Sequence, residues 1–173
     1  MKKNIVLVLL VSMLSLPIFG QKYAYIDSEY ILGNMPDYAE AQAELDRIAA
    51  SWQKDIEAKF QTIDSMYKKY QVESITLPDK MKKSREDAII AAEKEAKDLQ
   101  KKRFGKDGDL FKKREELVKP IQDRVFTAID EYAREKGYAF VFDVAGSTTI
   151  VYADAKWDIN DAIMQKLGIS ANR

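Results

Sequence analysis

The sequence predicts an α+β protein, predominantly α, in which a long antiparallel helical hairpin forms an arm on a small β-strand body that oligomerises. Three observations predict it. Residues from about Asp37 to about Lys136 are helix formers with one interruption, near Ile75, Leu77 and Pro78. Short β-type runs occur only toward the chain ends, KYAYI at Lys22–Ile26 and YAFVFDV at Tyr138–Val144. Together these ends are too small to make an independent core. The chain therefore divides into residues 1–20 as a signal peptide, 21–36 and 120–173 as the body, and 37–119 as the arm, with its tip near 72–79.

The opening segment has the layout of a secretory signal. Lys2 and Lys3 are followed by an apolar run from Ile5 to Leu16, then by Pro17 and a small residue, Gly20. That run is too short to span a bilayer, so cleavage before Gln21 is expected.

Lys22–Ile26 reads as a strand, and Asp27 or Ser28 can cap a short helix that Gly33 and Asn34 end. Asp37, with Glu40 three residues on, resembles a capping box opening the outgoing helix. In that helix, about Tyr38 to Gln71, Leu45, Ile48, Trp52, Ile56, Phe60, Ile63, Tyr67 and Tyr70 recur every three or four residues. The stripe is narrow, as a seam for a single partner helix requires, and the helix spans about 50 Å.

Val72 to Pro78 is the turn, with Thr76 and Asp79 as a second capping signature and Pro78 in the first turn of the next helix. The return helix carries Met81, Ala88, Ala92, Ala96 and Leu99 on one face. Folding back about the turn pairs Tyr70 with Met81, Ile63 with Ala88, Phe60 with Ala91 or Ala92, Ile56 with Ala96 and Trp52 with Leu99. Large then meets small along most of the seam. Residues 37–79 hold 5 basic and 9 acidic side chains, and residues 80–119 hold 14 basic and 9 acidic, so the two limbs carry opposite net charge.

Gly105 and Gly108 interrupt the return helix near the arm's root, opposite Leu45 and about Ala43, and predict a kink there. They fit either a hinge or a close backbone approach. Pro120 is a second candidate bend, after which Ile121, Val125, Ile129 and Tyr132 keep a helical stripe to Gly137. Tyr138–Val144 is a strand, Ala145-Gly146-Ser147 a turn, and Thr148–Tyr152 the returning strand of a hairpin. Asp158 caps a closing helix with Asp161 in its first turn, and Ile159, Ile163 and Leu167 face inward. The unpaired strand edges call for identical partners, with Tyr25, Ile26, Val141, Phe142 and Val151 as candidates for the interface.

Composition removes most chemistry. The chain has no Cys and no His, which excludes thiol and serine–histidine nucleophiles and the commonest metal ligand. Without Lys2 and Lys3 it holds 26 basic and 28 acidic residues, a net charge of −2 that speaks against nucleic acid as a partner. No glycine-rich phosphate loop follows a strand. Asp27 and Asp143, at strand ends, read as caps rather than a catalytic pair. Neither enzymatic activity nor a cofactor is expected. Apolar residues that the seam does not need cluster toward the tip: Met66, Val72, Ile75, Leu77 and Ile90. They are the candidates for contact with a partner, and turn packing is the alternative use for them.

Three segments carry a resemblance to a known family: KYAYIDSEYIL, GDLFKKREELVKPIQDRVFTAIDEYAREKGYAFVFDV and TTIVYADAKWDINDAI. With the arm between them the chain resembles the Skp/OmpH family of periplasmic chaperones for outer-membrane proteins. The resemblance implies a jellyfish-like homotrimer with a strand-built body. Its three arms would enclose a cavity that shields unfolded outer-membrane β-barrel proteins without ATP, in the periplasm. The best-known members are strongly basic and carry a basic site proposed for lipopolysaccharide. A net charge of −2 and the lack of a matching residue set leave lipopolysaccharide or membrane contact without support here. A purely structural coiled-coil spacer of the envelope would share the export signal and the helices.

Overall fold

A computed structural model describes residues 21–146 and 150–170. The proposed signal peptide, and Ser147, Thr148 and Thr149 of the proposed hairpin, lie outside the described residues. The order is β1 (Lys22–Ile26), α1 (Ser28–Gly33), α2 (Pro36–Glu73), α3 (Asp79–Phe104), α4 (Asp109–Lys136), β2 (Tyr138–Asp143), a 3-10 turn at Ala155–Trp157 and α5 (Asn160–Lys166).

β1 and β2 form a parallel pair, with Tyr23 beside Phe140, Ala24 beside Val141 and Tyr25 beside Phe142. Parallel neighbours require a crossover connection, and here the crossover contains the whole arm. This corrects the expected hairpin: β2 pairs with β1, and Ile150–Tyr152 are not in a strand. The backbone explains the choice, since the ladder continues past β2 through Val144 N–H to the Ile26 carbonyl at 2.8 Å.

The core lies on one face of this pair. Ala24 and Ile26 point into it and meet Ile31 and Leu32 of α1, Leu45 of α2, Ile121 and Val125 of α4, and Ile163 and Met164 of α5. Local signals set these elements. Asp27 accepts Tyr30 N–H at 2.9 Å and caps α1. Asp158 accepts Asn160 N–H at 2.7 Å just before α5, but the N-cap of that helix is Ile159 rather than the expected Asp158, which ends the preceding 3-10 turn. Gly137, at φ 70°, closes α4 in the left-handed conformation that suits glycine. Asn160, at the start of the closing helix, is buried, and its side-chain oxygen takes Asp27 N–H at 2.8 Å, tying α5 to the end of β1. Lys166 bridges α5 to Glu131 and Glu135 of α4 at 3.1 and 2.9 Å.

Two expected starts on the arm move, and one expected bend is absent. Met35, not Asp37, is the N-cap of α2, because Pro36 is already helical; Asp37 lies in the first turn and pairs with Arg124 of α4. Pro78 is the N-cap of α3 rather than a first-turn residue, and Thr76 instead donates to the Glu73 carbonyl at 3.2 Å. Pro120 sits inside α4 without interrupting it.

The return limb breaks fully where a kink was expected, so it is two helices, α3 and α4. Both glycines of the break have negative φ, so their freedom is not the reason for them. Space is. A Cβ on Gly105 would lie 2.4 Å from the Lys101 carbonyl oxygen, and one on Gly108 2.8 Å from that of Lys102.

The arm register also differs. Trp52 meets Phe104 and Arg103, beyond the expected Leu99, and Tyr70 reaches Glu86, beyond the expected Met81. Partners lie roughly one helical turn farther along the return limb. Ile89, not Ala88, is the buried residue that joins Ile63 and Ala96. The seam thus accepts two isoleucines, while Phe60 and Tyr67 turn out to its solvent edge. Glu73 at the end of α2 reaches Arg85, in the second turn of α3, so the first turn of α3 overhangs the tip.

Candidate functional site

The arm and the sheet of the body both expose apolar groups, and the local structure explains each. On the arm, α2 and α3 share only one narrow stripe, so each helix keeps most of its circumference in water. Val72 and Ile75 at the tip are 78% and 86% exposed, and Ile90 on α3 is 61% exposed. The other two tip candidates are placed differently. Met66 packs against the Ile63–Ile89–Ala96 cluster, and Leu77 is half-buried in the turn. Met81, expected in the seam, is exposed instead and extends the tip surface, as the shifted register requires.

Polar contacts hold the limbs together beside that stripe. Tyr67 donates to Glu93 at 2.9 Å, and Tyr70 donates to Glu86. These bonds to carboxylates push both phenols above their ordinary range. Lys59 binds Glu95 at 2.8 Å and holds that carboxyl below its usual range. This pair sets a base of the acidic limb against an acid of the basic limb, the reverse of the net-charge pattern. Ion pairs along the arm otherwise fall mostly within single helices, as for Lys68 with Asp64 and Lys97 with Glu93.

On the body, strand alternation sends Ala24 and Ile26 inward and leaves the opposite face of the sheet open. Tyr23, Phe140 and Phe142 stack there with ring centroids 5.9 to 6.3 Å apart. Beside them a cleft of about 520 Å³ is lined by Tyr25, Phe142, Ile150, Tyr152 and Trp157 among others. Burial there and the nearby Asp158 and Asp154 carboxylates raise the Tyr25 phenol.

The interface candidates separate on this geometry. Phe142 is exposed, and Val151 is 96% exposed and lies outside the strands of the described residues. Ile26, by contrast, is 3% exposed and belongs to the chain's own core, and Val141 packs against that core. Tyr25 is half-buried, and its carbonyl already accepts Ile159 N–H at 3.1 Å. Sequence reasoning missed Tyr23, Phe140 and Tyr152. Alternation with Ala24 and Ile26 was the signal for Tyr23, but which face was inward depended on the parallel pairing. The carboxylates at the strand ends serve the backbone: Asp143 accepts Ser28 N–H at 3.1 Å and Ala145 N–H at 3.0 Å.

Comparison with known proteins agrees with this architecture. The family model for outer membrane protein (OmpH-like) matches residues 22–167, which spans both strands, the arm and the closing helix. The chain belongs to the OmpH-like family. A curated relative from Aquifex aeolicus (strain VF5), an uncharacterized protein, is 29% identical over 167 residues, covering 96% of each chain. A crystal structure from Caulobacter crescentus, described as that of a candidate outer membrane chaperone (OmpH-like), superposes with a TM-score of 0.68. It shares 13% identity, over 85% of this chain and 83% of its own, so the likeness is one of fold. The OmpH-like fold therefore carries both surfaces, the arm tip and the open sheet face.

Proposed function

We propose that this OmpH-like protein is an ATP-independent holdase chaperone of the periplasm, which binds unfolded outer-membrane β-barrel proteins between its arms and prevents their aggregation. The observation that carries this reading is the exposed apolar series on the arm, Val72, Ile75, Met81 and Ile90. An unfolded barrel strand alternates apolar and polar residues, so it offers scattered small anchors rather than one large one. Several weak contacts match that pattern, because each can break while others hold.

The reading includes a homotrimer. The stacked Tyr23–Phe140–Phe142 face and the exposed Val151 and Tyr152 support self-association, since open aromatic surface and strand edges are costly on a lone exported chain. The family membership and the apolar leader support export to the periplasm. No catalytic step is assigned. The Asp27 and Asp143 side chains are committed to capping hydrogen bonds.

The test is an arm truncation. The register of the arm makes Lys54 and Lys101 a matched pair for joining through a short turn. That variant should keep the oligomer, by light scattering, and lose the ability to keep a diluted, denatured β-barrel protein soluble. Protection that survives the truncation would remove the arms from the binding role. It would favour a spacer whose helices serve only to set distance.

A further inference from the structure

We infer that Arg103 is a latch that sets the angle of the arm against the body. It sits at the last turn of α3, just before the break at residues 105–108. Its guanidinium carbon lies 4.4 Å from the centroid of the Trp52 ring on α2. One of its terminal nitrogens lies 2.7 Å from the Asp109 carboxylate, at the first residue of α4. One side chain therefore joins three helices: the end of α3, the start of α4 and the continuous α2 beside them. Phe104 closes the same corner, edge-on to Trp52 at 6.4 Å.

The mechanics give this contact its meaning. A strut of two packed helices bends only if one limb slides past the other. α2 runs unbroken from body to tip, while the return limb is divided between α3 and α4. The break is thus the one place where the return limb can change length as α2 flexes. Whatever bridges the break resists that change. The Arg103–Asp109 pair is half-buried, at 32% and 24% side-chain exposure, so water and salt screen it less than the pairs along the arm. A flat guanidinium can stack on the indole and pair with the carboxylate together, which the compact ammonium of lysine cannot reproduce. Arg103 acts as a positioning residue, since it fixes where the tip surfaces lie rather than binding anything itself.

The consequence rests on the proposed holdase reading: a latched arm defines one cavity width, and an unlatched arm accepts larger clients. The latch itself does not depend on that reading and is tested without a client. Spin labels at Lys83 near the tip and Gln122 on α4, in labelled chains diluted with unlabelled protein, report the angle as a distance distribution. The unmodified protein should give one narrow peak. Arg103→Gln and Asp109→Asn should each lose it in favour of a broad distribution, at unchanged helix content by circular dichroism. High salt should broaden the unmodified protein and leave Arg103→Gln as it was. The latch is overturned if both variants keep the narrow peak. It is equally overturned if broadening comes only with loss of helix, which would make Arg103 a support of the fold. Failure of aggregation protection with the latch result intact would reject only the holdase reading.

Discussion

The body and the arm expose apolar surface in opposite styles. The body's exposed groups are large rings on a rigid sheet, contiguous and stacked, beside a core that buries Ile31 and Ile163 completely. Those at the arm's tip are aliphatic, separated, and carried on helices whose buried apolar residues there are few, chiefly Ile56, Ile63, Ile89 and Ala96. A rigid aromatic patch loses little entropy when it is covered, which suits one permanent partner of matching shape. Scattered aliphatic groups on a long lever suit transient contact with a chain that has no fixed shape. Exposure alone does not say what a surface is for; its rigidity and continuity do.

The largest effect that would sharpen this contrast is in the body. Ile163→Ala should cost about 2–5 kcal/mol in chemical denaturation and remove assembly with it. Ile63→Ala, at the arm's seam, should instead raise hydrogen exchange in α2 and α3 and leave the body's protection unchanged. Global unfolding by the seam variant would show that arm and body are one cooperative unit.

Next in size is the charge test of the open face. Val151→Asp places a carboxylate at a position with no packing in its own chain, so the chain should keep its fold and lose self-association by light scattering. An oligomer that persists would move the interface elsewhere. Ile26 and Val141 cannot serve this test, because charging either one damages the core of the single chain.

Gly137→Ala addresses the junction between the two regions. At φ 70° an alanine is strained, and the loss should be about 1 kcal/mol, read as a lowered melting temperature with an unchanged arm.

The smallest effect is electrostatic. Lys59 holds Glu95 on the arm below its ordinary pKa, and Lys166 does the same to Glu135 on the body. A lowered carboxyl stabilises the folded state fully above its ordinary value of 4.5 and loses that contribution as pH falls below it toward the folded value. Helix content followed by circular dichroism should therefore fall slightly on acidification. Glu95→Gln should flatten the response of the arm, and Glu135→Gln that of the body. Equal flattening of both by either variant would again argue for one cooperative unit.

Local signals determined that most of residues 37–136 are helical, that they fold back near Pro78, and that Gly137 stops them, because these depend on capping and on apolar spacing. Asp27 and the glycine pair were legible for the same reason: their effects act within a few residues. Three things waited for the tertiary structure. The pairing of β2 with β1 joins segments more than a hundred residues apart, and no local signal distinguishes it from a hairpin. The arm register moved by a turn because a half-open seam lets Phe60 and Tyr67 swing toward water, so matching large with small residues does not constrain it. The division of interface candidates into core and surface followed from the sheet's orientation, which buries Ile26 and leaves Tyr23, Phe140 and Phe142 outside. Each is a choice among long-range contacts of similar local plausibility, and only the packing of the whole chain discriminates among them.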